Sequence, residues 1–309
     1  MEPVLVKLKA AVLFGTAALA LSAPASVEAK IVRLAPSGPW SMNYADDSCR
    51  LSRLFGEGEE RVAFYIERYG PGDRFHMVVA GEALGKSPRP ETRVQFGAQD
   101  AGYDYVPSLG ELVEYSPALI FTAAYPSAQR AETGFARKSG KEKYEDFIDP
   151  RIFAHDVTDQ QLAAIEWVAF ERTGGHRVEL EMPQFGQAMK SMQTCTEELV
   201  SHWNIDVEAH RSLTKLPAPE NSPGGWIRSS DYPRELLYGG YQGIVQFRLS
   251  VDTTGKATAC HIQNSTRPEG FDKIVCEKIM KRARFEPALD KDGRPIASFY
   301  RNTVRFLIP

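Results

Sequence analysis

Apolar residues alternate in short runs through the middle of the chain and recur with helical spacing in only a few stretches. Val62, Phe64 and Ile66 alternate with Ala63, Tyr65 and Glu67, the period of a half-buried strand. Gly70-Pro71-Gly72-Asp73 then supplies turn chemistry, and Phe75 to Ala80 returns as a second strand. Short strands are also predicted at Arg93 to Phe96 and Leu119 to Thr122. Ile165 to Glu171 and Arg177 to Glu181 flank Thr173-Gly174-Gly175 as a hairpin, preceded by a capping box at Thr158 to Gln161. Phe185 to Trp203 predicts a helix with Met189, Met192, Leu199 and Trp203 near one face. Residues 30–212 thus read as a β-rich domain, a sandwich or barrel, with a closing helix.

Residues 213–225 carry three prolines and no apolar period, which predicts a linker partly stiffened by proline. Beyond it, residues 226–309 predict an α+β unit. Tyr232-Pro233 opens a short helix to Tyr238. Gly243 to Val251 is a strand with Val245, Phe247, Leu249 and Val251 inward and Gln246, Arg248 and Ser250 outward. Asp252 to Lys256 turns the chain, and Ala257 to Ser265 pairs back. Phe271, Val275 and Ile279 recur every fourth residue in a helix from Phe271 to Arg284, stopped at Phe285-Glu286-Pro287. Ala297 to Ile308 is the last strand. The expected layer is a three-stranded antiparallel sheet under two helices.

Charge supports the division. The 309 residues carry 37 Lys+Arg and 40 Asp+Glu, a net of −3, with no global nucleic-acid footprint. Residues 226–309 nevertheless have 14 basic and 9 acidic side chains, while residues 30–225 have 21 and 29. With 43% hydrophobic residues the chain is neither disordered nor a multi-span membrane protein.

The first 29 residues read as an export signal. Lys7 and Lys9 precede an uncharged stretch from Ala10 to Val27, short for a bilayer span, and Val27-Glu28-Ala29 offers a cleavage point. An uncleaved inner-membrane anchor is the alternative; both place the remainder outside the cytoplasm. Four cysteines suit an oxidising compartment and allow three connectivities. The two-domain division favours Cys49 with Cys195 and Cys260 with Cys276. Cys276 would lie on the helix covering the strand face of Cys260 and Ile262. No two cysteines have redox or zinc-site spacing.

Several C-terminal motifs occur together in order. Tyr232-Pro233, Gly243-Ile244-Val245, the turn at 251–255, Arg282 to Ala288, Asp292 to Pro295 and Val304-Arg305-Phe306 resemble the C-terminal domain of TonB-type energy transducers. The front part resembles a domain fused to one subgroup of that family, with no activity assigned. The resemblance implies a periplasmic module that binds an outer-membrane TonB-dependent transporter, or another envelope protein, by adding its extended segment beside the last strand. The carried-over partner-binding residues are Tyr232, Pro233, Phe299, Tyr300, Arg301, Asn302 and Thr303. Glu235 departs from the family's arginine after Tyr-Pro. The family's inner-membrane motor complex engages a histidine on a membrane helix, but the first histidine here is His76, and no long Pro-Lys spacer is present. The resemblance implies partner binding, while these departures weigh against energy transduction through the motor complex.

No catalytic residues, cofactor or metal are predicted. Six scattered histidines form no His-Glu-x-x-His, and neither a Gly-x-Ser-x-Gly nor a phosphate loop is present. Asp46-Asp47 reads as a cap beside Cys49, His202 and His210 as surface or packing residues, and Arg282 and Arg284 as a solvated helix face. The alternative function is a soluble periplasmic envelope protein whose ligand or activity lies in the front domain.

Overall fold

The computed structural model describes residues 31–308 apart from 88, 113, 130–156, 174 and 266–267. The expected signal segment lies outside the described residues, as does the Lys-Ser-Gly-Lys-Glu-Lys run at 138–143, which its polarity predicts to be a surface loop rather than a site. Eleven described strands occupy the front unit: β1 (Ile31–Leu34), β2 (Ser41–Tyr44), β3 (Cys49–Phe55), β4 (Val62–Arg68), β5 (Phe75–Ala80) and β6 (Thr92–Phe96) come first. Then follow β7 (Tyr103–Tyr105), β8 (Ser108–Leu112), β9 (Tyr115–Ala124), β10 (Trp167–Arg172) and β11 (His176–Glu181). They form a six-stranded sheet in the order β2-β3-β4-β5-β9-β8 and a five-stranded sheet in the order β1-β11-β10-β6-β7.

The alternation of Val62, Phe64 and Ile66 is realised in β4, and all three are buried. Phe64 of one sheet meets Phe170 of the other at 6.4 Å, and Phe75 meets Phe96 at 6.2 Å, so the two sheets share one core. Thr158 and Gln161 form the capping box that opens helix α1 (Asp159–Ala163). Helix α2 (Phe185–His202) lays Met189, Met192, Cys195 and Leu199 into that core. The Cys49–Cys195 disulfide ties it to the first residue of β3. Helix α3 (Val207–Arg211) follows, capped by Asp206 on the Ala209 N–H.

The proline-rich stretch is strapped to the last unit. β12 (Ala218–Pro219) pairs with β15 (Phe285–Glu286), the Thr214 N–H donates to Leu289 O at 3.0 Å, and the Glu220 N–H donates to Arg284 O at 2.9 Å. Proline disfavours helix here without preventing this short edge pairing.

In the last unit, helix α4 (Arg234–Tyr238) precedes β13 (Gly243–Val251), β14 (Ala257–Ser265) and helix α5 (Gly270–Arg282). β16 (Ala288–Leu289), β17 (Pro295–Ile296) and β18 (Ser298–Phe306) end the chain. The main sheet has the order β14-β13-β18 and is antiparallel throughout. Phe271, Val275 and Ile279 are all buried against it, and Cys260 of β14 is bonded to Cys276 of α5. The helix ends at Arg282, earlier than Pro287 would impose. Buried Ala283 is already extended, and the Phe285 N–H is held by Gly255 O at 3.0 Å. Packing of the following segment, rather than proline, stops it.

Candidate partner-binding site

The last strand lies at a sheet edge. Among the described residues β18 pairs with β13 alone, in the register Val245↔Val304, Phe247↔Asn302 and Leu249↔Tyr300. The Asn302 side chain bridges neighbouring residues: its Oδ1 accepts from the Thr303 N–H and its Nδ2 donates to the Tyr300 hydroxyl, both at 2.7 Å. Thr303 and Arg305 are exposed.

The predicted site residues divide between two places. Tyr232 packs edge-on against Phe271 and Phe306 at 5.5 and 5.4 Å, and its hydroxyl donates to Tyr241 O. Pro233 caps α4 beside it. Both therefore stand at the Phe306 end of β18, with Tyr232 in a structural aromatic cluster. Phe299 to Thr303 occupy the other end and middle of the strand.

From Phe299 to Arg301 both faces of the strand are packed. Tyr300 turns inward onto Trp226 and Phe285. Phe299, only 1% exposed, turns outward but is covered by the front unit. Trp203 meets it edge-on at 5.0 Å and His210 lies parallel to it at 6.2 Å. His210 Nε2 also contacts Ser298 Oγ at 2.9 Å. Arg301 lies over Phe299 and against Gly70, where a Cβ would come within 2.8 Å of its Nη1.

The outward face of β13 is covered in the same way. Arg248 is 3% exposed, stacks 4.1 Å above the Trp203 ring and donates to Asp47 Oδ1 at 3.3 Å. Gln263 donates to Tyr69 O at 3.2 Å, and Asn264 donates to the Tyr69 hydroxyl at 2.9 Å. Burial, and then the adjacent Glu67 carboxylate, pushes the Tyr69 phenol up. Asp47 is thus an ion-pair partner between the units, where the sequence suggested a local cap. Sequence reasoning missed Trp203 and Arg248 as junction residues. Their signals were an aromatic at a helix end and a long cation on the polar side of a strand, neither of which names a partner.

Arg282 also departs from a solvated face. It forks onto both Asp231 oxygens and donates to Trp226 O at 2.8 Å, fixing the start of the last unit to the end of α5. Its hydrogen bonds lead in holding the Asp231 carboxyl down to about 2. Arg284 is exposed and donates to Ala283 O at 2.7 Å. Among the described residues no three potential metal-ligating side chains cluster, and no helix is long and apolar enough to cross a membrane.

These features define the C-terminal unit as a small α+β module with a last strand paired on one side. Residues 228–308 match the family model described as Gram-negative bacterial TonB protein C-terminal, a transport-related, non-enzymatic domain. This places the unit in an envelope- and transport-associated class. No curated protein matches the chain.

Proposed function

We propose that the protein is a periplasmic TonB-like adaptor that takes up an extended segment of an outer-membrane transporter, or of another envelope protein, beside β18. The observation that carries this reading is that, among the described residues, β18 pairs with β13 only. An unpaired edge offers backbone donors and acceptors, and alternate side chains set preference. With Phe299 and Arg301 packed under the front unit, the docking length narrows to Asn302 through Phe306. Five residues span about 17 Å, enough for a short strand. In this reading the first 29 residues are an export signal and residues 30–212 form a separate β-rich domain that holds the outer face of the TonB-like sheet.

The test is capture of envelope proteins by immobilised protein beginning at Lys30, alongside a Thr303→Pro variant. Proline at 303 removes the Thr303 N–H, which is held by the adjacent Asn302 side chain, at an exposed position beyond the covered Phe299 and Arg301. Recovery of TonB-dependent transporters by the parent, lost with the variant, supports strand addition. Equal recovery by both, or none by either, overturns it and moves the activity to the front domain.

A further inference from the structure

Arg248 of β13 and Arg301 of β18 occupy directly opposite positions in the sheet register. Their side chains share the outer face, where directly opposed like charges destabilise a sheet. This face is largely closed to water: Arg248 is buried under Trp203, and Arg301, pressed against Gly70, keeps only partial exposure.

The hydrogen-bond inventory has the same sign. Of the Arg248 guanidinium, Nη2 reaches Asp47, while Nε and Nη1 are buried without a partner. Trp203 Nε1 is likewise buried without one. Among the described residues, Arg301 has neither a hydrogen bond nor an ion pair from its guanidinium. Two guanidiniums and an indole N–H therefore lie at this junction, and among the described residues the one carboxylate hydrogen-bonded to any of them is Asp47, on Arg248. Burial, followed by repulsion from Arg74 and Arg248, pushes Arg301 down to about 9, the direction expected where positive charge lacks compensation.

We propose that this junction binds an oxyanion, a carboxylate or a phosphate, held between Arg248 and Arg301 with the Trp203 indole N–H as a further donor. Guanidinium forks match the two-oxygen geometry of both groups, and an anion there satisfies the unmatched donors together. Asp47 is 25% exposed and Arg301 partly so, which leaves an approach from solvent. The site lies on the face between the units, apart from the open edge of β18, so it does not rest on strand addition.

The experiment is a titration of protein beginning at Lys30 with inorganic phosphate and, separately, succinate, at ionic strength matched with sodium chloride. The Trp203 indole N–H resonance, assigned with Trp203→Phe, is followed together with the thermal unfolding midpoint. The expected result is a saturable shift of that resonance and a rise in midpoint. Response to phosphate alone assigns a phosphate source, and response to succinate alone assigns a carboxylate. Arg301→Met should weaken binding about ten-fold or more, the loss of one charge-assisted hydrogen bond. Arg301→Lys, which retains charge without the fork, serves if the methionine variant does not fold and should also bind more weakly. Absence of a response to either anion beyond the chloride control, or unchanged affinity in the Arg301 variant tested, overturns the proposal.

Discussion

Asp47 and Arg248 form an ion pair at 3.3 Å between a turn of the front unit and the central strand of the last sheet, 201 residues apart in the chain. Among the described residues Arg248 has no other ion-pair partner. Its opposite neighbour is Arg301.

Removal of the carboxylate by Asp47→Ala should therefore destabilise the protein by about 2 kcal/mol, the cost of orphaning a largely buried cation. Urea unfolding of the variant and parent measures it. A change below about 0.5 kcal/mol would mean that Arg248 finds other compensation.

Gly255 has φ +80°, and a Cβ there would fall 1.7 Å from the carbonyl oxygen of buried Phe285. Gly255→Ala should cost about 3 kcal/mol or more, since strain and a backbone clash act together. Gly293 has φ +75° but open space around it. Gly293→Ala should cost only about 1 kcal/mol, and the contrast in unfolding midpoints separates the two effects.

The two disulfides close loops of very different length, with sequence separations of 146 and 16. In the chain-entropy account their removal costs about 5 and about 3 kcal/mol respectively. Paired alanine replacements of Cys49 with Cys195, and of Cys260 with Cys276, followed by chemical denaturation, should preserve that order.

Acid should act in two windows. His76, packed edge-on against Tyr69, is pushed down to about 4 by burial first and then by Arg74. Between its ordinary value of about 6.5 and about 4, the unfolded chain binds a proton that the folded chain refuses, so stability falls with pH across that interval. His76→Gln should flatten it. Asp231, held down to about 2, adds stability that is complete above about 4 and is lost as pH falls towards 2. Asp231→Asn should remove the lower slope and leave the upper one, read as unfolding midpoint against pH.

Much of the local structure is legible in the sequence. Gly243–Val251 and Ala257–Ser265 have the strand bounds that alternation and turn chemistry predict, because a period of two and an Asp-x-x-Gly turn depend on neighbouring residues. Phe75–Ala80 is likewise realised residue for residue. β2 and β8 carry little apolar alternation and were not read from sequence. Their pairing with β3 and β9 decides them, since strand propensity yields to cross-strand context.

The amino-acid sequence by itself determined the strongly periodic strands and helices, where the chain turns and which family the last unit resembles. All of these arise from interactions among residues near one another in the chain or from motifs kept in order. Tertiary structure alone decided that Phe299 is covered by Trp203, that Arg248 faces Arg301, and that the proline-rich stretch lies along β15. Alternation assigns a residue to one face of a sheet, but whether that face meets water or another unit is settled by docking. No local period encodes a contact between residues 47 and 248.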